Sequence, residues 1–165
     1  MLKKYELKVQ IAGWEPGDEK ELSFLGRTIT LSHDGITMEG DDKHVVRLQE
    51  EWGMEACSAV STPYVKPAQV FETSVPNELP PQEATLFRRA AARVNYVALD
   101  RPDLSFASRI AASKMSTPRE GDDLIIKRII RYLQGKPRVA IHYGFQEPGP
   151  DVVVLTDSDW VGCLE

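Results

Sequence analysis

Five prolines fall within residues 61–81 (Pro63, Pro67, Pro76, Pro80 and Pro81), set among Ser, Thr and Asn. Proline fixes φ and removes a backbone donor, so this stretch is closed to helix and reads as an extended connector. The connector is also where the charge changes sign, which makes it the boundary between two subregions. Residues 1–83 hold 8 Lys+Arg against 15 Asp+Glu, residues 84–146 hold 12 against 5, and residues 147–165 hold none against 5. A net charge of −5 over 165 residues argues by itself against a polyanionic partner. A field decays over a Debye length of ~8–10 Å, however, so a local basic block steers such a ligand whatever distant acids do. The plainer reading of the block is a set of solvated helix faces.

The length suits one compact domain, alone or with an arm, and is sufficient to fold without staples. Cys57 and Cys163 are too few and too far apart for a disulfide framework or a zinc site, which suits a reducing compartment. The longest strongly apolar run, Val152 to Leu155, is far short of the ~20 residues of a spanning helix, and Met1-Leu2-Lys3-Lys4 opens no signal-type stretch. The expectation is a soluble protein that is not secreted.

Tyr5 to Ile11 alternates apolar and polar, the period of a half-buried strand. Leu22 to Leu31 is β-rich, and Ser32-His33-Asp34-Gly35 before Ile36-Thr37-Met38 predicts a β-hairpin with Gly35 at positive φ. Asp41 or Asp42 caps a short helix with Val45, Leu48 and Trp52 on one face, ending near Gly53. Beyond the connector, Leu86, Ala90, Val94 and Val97 form a helical stripe over 82–99, with Arg88, Arg89 and Arg93 off it. A second helix runs from about Asp103 to Met115, with Leu104, Ala107, Ile110 and Ala111 inward. Thr117-Pro118-Arg119-Glu120 has the form of a capping box with proline at the first helical position, opening a third helix to about Gln134. Val139 to Phe145 and Val152 to Thr156 then read as a β-pair joined by Glu147-Pro148-Gly149-Pro150. The expected class is α+β. Its regions are a β-hairpin with a short helix (1–60), a proline-rich connector (61–81), a basic three-helix cluster (82–136) and a terminal β-pair (137–165).

The concentrated acidic constellation is Thr156-Asp157-Ser158-Asp159-Trp160, directly behind an apolar strand. A carboxylate at a strand end is held where a divalent metal can take hard oxygen ligands. A ribonuclease H-type first strand and the DxD of a sugar-nucleotide transferase both fit, and an Asx turn after an edge strand fits equally. A haloacid-dehalogenase-type phosphatase does not, since Trp160-Val161 stands where that motif needs a small residue and Thr. His33, His44 and His142 lack partners at ligand or triad spacing, Cys57 has no neighbouring base, and neither GxxxxGK[ST] nor GxGxxG occurs.

Six pieces in order carry a resemblance: Phe24-Leu25-Gly26, Ser61-Thr62-Pro63, Phe87-Arg88-Arg89 through Asn95-Tyr96-Val97, Arg101-Pro102-Asp103-Leu104-Ser105-Phe106-Ala107, Lys127 through Gly135, and Asp157-Ser158-Asp159-Trp160-Val161-Gly162-Cys163. Together the chain resembles the copia-type retrotransposon Pol polyprotein, from just after the reverse transcriptase palm, through the thumb and connection region, to the start of ribonuclease H. The resemblance implies a parent RNA-directed DNA polymerase and ribonuclease H using Mg²⁺, in a cytoplasmic virus-like particle or the nucleus. The Tyr-x-Asp-Asp palm turn of such enzymes is missing, and Gly40-Asp41-Asp42 lacks the preceding aromatic. Asp157 matches the first ribonuclease H carboxylate and metal ligand, with the later acids absent, so this chain is expected to be inactive alone and to bind no cofactor tightly.

What the resemblance leaves is a grip on an RNA–DNA or DNA duplex, weak and indifferent to sequence, within the remainder of a Pol polyprotein and without a membrane partner. Arg88, Arg89 and Arg93 on one helix, and Lys127, Arg128 and Arg131 on another, are the expected phosphate contacts, each set able to project from one helix face. Internal roles compete: Arg101 could pair at the helix start with Asp103, and Arg131 with Asp123 or Glu120. Two rivals remain at this level, a remnant domain serving protein interaction or structure, and a metal-dependent transferase using Asp157 and Asp159.

Overall fold

The computed structural model describes residues 9–66, 77–146, 149, 154 and 156. Strands β1 (Glu21–Phe24), β2 (Arg27–Ser32), β3 (Gly35–Gly40) and β4 (Ala140–Gly144) form one antiparallel sheet in that order. Helices α1 (Lys43–Trp52), α2 (Pro81–Val97), α3 (Ser105–Ser113, entered through a 3-10 turn at Pro102–Leu104) and α4 (Asp123–Gly135) lie in the chain between β3 and β4. The α+β class is as expected.

The β-rich run Leu22–Leu31 is two strands rather than one. Leu25 and Gly26 both take positive φ (50° and 74°) between the paired residues Phe24 and Arg27, the primed geometry that matches strand twist. Gly35, where the sequence predicts positive φ, is not among the residues that adopt it. It pairs with Ser32 on one side and Gly144 on the other. A Cβ there would run into the Tyr143 carbonyl and stand 2.9 Å from the Gly144 Cα, so glycine is required for close approach of β4 and not for the turn.

β4 takes β3 as its partner, pairing Ile36 with Tyr143 and Met38 with Ile141. Of its expected partner, residues 152–156, only Val154 and Thr156 are described, and neither lies in a strand. The strand expected from Tyr5 and the turn at 147–150 also fall mostly outside the described residues. Paired residues share a face. The row Leu22, Ile29, Met38, Ile141 and the row Leu31, Ile36, Tyr143 therefore make one apolar face, while Glu21, Thr30, Thr37, His142 make the other polar.

No sheet residue joins the buried core, which is helical throughout. It comprises Val45 and Leu48 of α1, Phe87, Ala90, Ala91, Val94 and Val97 of α2, Leu104, Ala107 and Ala111 from the 3-10 turn and α3, and Ile126, Ile129, Ile130, Tyr132 and Leu133 of α4. Each fully buried Leu, Ile or Phe contributes about 1.5–3 kcal/mol of transfer free energy, and the small alanines of α2 and α3 let those helices approach closely. Phe87, rather than the expected Leu86, is the large α2 residue inside. Tyr64 of the connector, with Cys57 and Val60 just before it, packs partly on this core.

Helix boundaries follow their stop signals. Gly53 closes α1 at φ 59° with its N–H on the Gln49 and Glu50 carbonyls, a left-handed cap. The Asp41 carboxylate accepts the Lys43 N–H (2.9 Å). The predicted capping box at 117–120 does not start α4. Arg119 instead bridges to Glu78, the Leu79 N–H donates to the Pro118 carbonyl, the Glu120 N–H donates to that of Asn77, and Gly121 turns at φ 90°. A helix cannot pass through that conformation, so α4 begins at Asp123. Sheet and helices meet where Arg27 Nε donates to Asp100 Oδ1 (2.6 Å) and the Asp41 N–H to the Gly26 carbonyl (2.9 Å).

Candidate nucleic-acid interface

The six predicted cations do not project as two uniform faces. On α2, Arg88 turns to the end of α3, donating from Nε to the Met115 carbonyl (2.7 Å) and from Nη2 to that of Ser116 (3.2 Å). Arg93 turns the other way, to Glu51 of α1 (2.7 Å). Arg89 is exposed, and among the described residues no hydrogen bond or ion pair holds it. On α4, Lys127 pairs with Asp123 one turn back (2.5 Å). Arg128 donates from Nη2 to Thr62 Oγ1 (2.8 Å) and Arg131 from Nε to the Ser58 carbonyl (2.8 Å), tying α4 to the start of the connector and to the segment just before it. Arg131 uses neither Asp123 nor Glu120.

These contacts sort the cations by charge. Arg93 and Lys127 face carboxylates and are neutralised. Arg88, Arg128 and Arg131 are held by carbonyls or a hydroxyl, neutral acceptors that fix the side chain without cancelling its charge. Together with Arg89, four of the cations have no carboxylate partner among the described residues. Arg101 has no such part: it is 5% exposed, binds Asp103 through Nε (3.0 Å) and Nη2 (2.8 Å), and reaches the Pro137 carbonyl. The helix-start ion pair weighed against a nucleic-acid role is the one it makes. Tyr132 Oη donates to the same Asp103 carboxylate (2.7 Å). Burial opposes the Asp103 charge, but the hydrogen bonds from Arg101 and Tyr132 outweigh it and hold the carboxyl below its usual range, while burial and then that carboxylate push the Tyr132 phenol up.

Sequence reasoning passed over an aromatic group. Phe106 on α3 is exposed, with Tyr64 of the connector edge-on (ring centroids 5.2 Å apart) and the Arg109 guanidinium 5.6 Å from its centroid. The signal was present, since Phe106 and Arg109 lie three apart on the side of α3 opposite Ala107 and Ala111.

Asp157 and Asp159 lie outside the described residues, and among the described ones no three His, Cys, Asp or Glu are grouped to hold a metal. Asp41 and Asp42 occupy the junction of β3 with α1, where Asp41 pairs with Lys43 (2.6 Å). They do not sit at the tip of a hairpin. The cleft between sheet and helices, lined by Gly40, His44, Tyr96 and Asp100, holds only about 30 Å³, room for about one water. His44 packs on Tyr96 there (4.7 Å), and burial, then Arg93 and Lys43, hold its pKa down. No helix among the described residues is long and apolar enough to cross a membrane.

Comparison with known proteins finds an uncharacterized mitochondrial protein and two transposon Pol polyproteins, all from one plant. The chain is 30% identical over 143 residues to the uncharacterized mitochondrial protein AtMg00810 of Arabidopsis thaliana, covering 85% of this chain and 56% of that one. It is 28% identical over 148 residues to the retrovirus-related Pol polyprotein from transposon RE1 of the same plant (88% of this chain, 10% of the polyprotein). It is 32% identical over 82 residues to that from transposon RE2 (48% and 5%). The chain thus spans about half of the mitochondrial relative and a tenth or less of the polyproteins. No family model matches the chain, and neither does any solved structure.

Proposed function

Because the chain is a relative of the retrovirus-related Pol polyproteins of transposons, we propose that it is the part of such a polyprotein that grips a template–primer duplex, without catalysing synthesis or RNA cleavage by itself. One observation carries the reading: Arg88, Arg128 and Arg131 are positioned by neutral acceptors, with no carboxylate partner among the described residues. Positioned, uncompensated guanidinium groups suit phosphate oxygens, and such contacts set register without reading sequence. Arg89 adds a fourth.

The test is binding of a fluorescent RNA–DNA or DNA duplex as salt is raised. Four neutralised phosphates give a slope of log K against log salt of about −3 to −4. Arg89→Ser, which disturbs no contact, reduces the slope by about 1 with the circular dichroism spectrum unchanged. Replacing Arg88, Arg128 and Arg131 as well flattens it. Primer extension and RNA cleavage with Mg²⁺ are expected to be absent from the purified chain, and processive synthesis by it would overturn the proposal.

A second reading, a structural or protein-interaction domain, is favoured by the internal partners that five of the six predicted cations have. Failure to bind any duplex at low salt decides for it.

A further inference from the structure

We propose that the surface where the connector crosses α3 and α4 docks single-stranded nucleic acid, with Phe106 as the platform on which an unpaired base stacks. This rests on the reading of the chain as part of a nucleic-acid-handling polyprotein, and names a second form of the polymer and its own place on the surface. Phe106 is 53% exposed, with Tyr64 edge-on at 5.2 Å and 68° and Arg109 at 5.6 Å from the ring. Two residues before Tyr64, at most ~7 Å of backbone away, Thr62 accepts from Arg128, and further back Ser58 accepts from Arg131. One run of chain, residues 58–64, thus lines up an aromatic pair with three guanidinium groups, Arg109, Arg128 and Arg131. None of the three belongs to an ion pair among the described residues.

The chemistry selects the occupant. Unneutralised arginines call for a polyanion, and an exposed ring beside them gains from a base face. A duplex keeps its bases stacked within itself and offers Phe106 nothing, whereas a single strand presents phosphates and base faces together. An acidic protein segment is the competing occupant.

Fluorescence anisotropy with a labelled oligothymidylate of about 15 nucleotides, and with a duplex of equal length, tests this on the full chain. Phe106→Ala leaves the core untouched. It is expected to weaken single-strand binding about tenfold and duplex binding less than twofold, with Phe106→Trp restoring affinity and showing quenched fluorescence on binding. Single-strand binding indifferent to Phe106→Ala overturns the inference, because the phosphates alone would then account for it. Duplex binding with no single-strand binding overturns it while leaving the proposed function standing. Binding of neither sinks both, and leaves the patch to contact with protein.

Discussion

Asp103→Asn isolates one charge at the joint between the 3-10 turn, α4 and the chain leading to β4. The Arg101 side chain is 6% exposed and that of Asp103 27%, so the substitution strips a nearly buried guanidinium of its counter-charge while keeping the shape. Removing one partner of a fully buried pair costs about 3–5 kcal/mol. With Asp103 about a quarter open to water, screening reduces this to about 2–3 kcal/mol, or a fall in Tm of roughly 5–10 °C for a chain of this size. Urea unfolding followed by circular dichroism at pH 7 measures it as a lower midpoint at unchanged slope. The effect depends on pH. The folded-state pKa of Asp103 is lowered, so its contribution is fully present above the ordinary carboxylate pKa and is lost as pH falls through the lowered folded value. Wild type and variant therefore converge in acid. A gap under about 0.5 kcal/mol at pH 7, or one that persists undiminished after Asp103 is protonated, refutes the reasoning.

Tyr132→Phe removes the phenol that shares the same carboxylate, at a cost of about 1.5–2 kcal/mol, and a double-mutant cycle with Asp103→Asn should show coupling above about 0.5 kcal/mol. Gly35→Ala places a methyl group against the β4 backbone, and a loss of about 1–3 kcal/mol should accompany faster amide exchange at Ile141 and Tyr143, whereas Gly17→Ala leaves those amides protected. Arg131→Ala releases the Ser58 tether, so limited proteolysis should cut sooner near residues 58–62, while Arg89→Ala leaves the cleavage rate unchanged.

Local chemistry made much of the fold legible. The Gly53 stop, the hairpin between β2 and β3 and the stripe of Ala90, Val94 and Val97 are short-range signals, and each stands in the structure, whereas Pro81, read as part of a connector closed to helix, is the first residue of α2, where a proline costs no hydrogen bond. What escaped was non-local or masked. A leucine at positive φ concealed the turn between β1 and β2. The capping-box residues found partners at Asn77 and Leu79, some forty positions earlier, and Gly121 then reset the helix start. The pairing of β4 with β3 is invisible to periodicity, since one strand looks the same beside any neighbour. For the candidate site, residue type identified the cations but not their use. Arginine is long enough to turn back on its own protein, and whether it meets a carboxylate, as Arg93 does, or a carbonyl, as Arg88 does, is decided by what the tertiary fold brings within reach.

The register of Glu39 with Ala140 makes all four helices an insertion between two neighbouring strands. Closing a disordered loop of about a hundred residues costs on the order of 4 kcal/mol in chain entropy, more than a few ladder hydrogen bonds return at about 1 kcal/mol each. Helices that have already packed shorten that loop to the gap between the exit at Gly40 and the return at Pro137. Loop entropy thereby favours one order of assembly, with the bundle condensing before β4 zips onto β3. During synthesis β3 presents an open edge until residue 144 has emerged; in the finished sheet that edge passes to β4, so β1 and β4 are the strands left open to pairing with another chain.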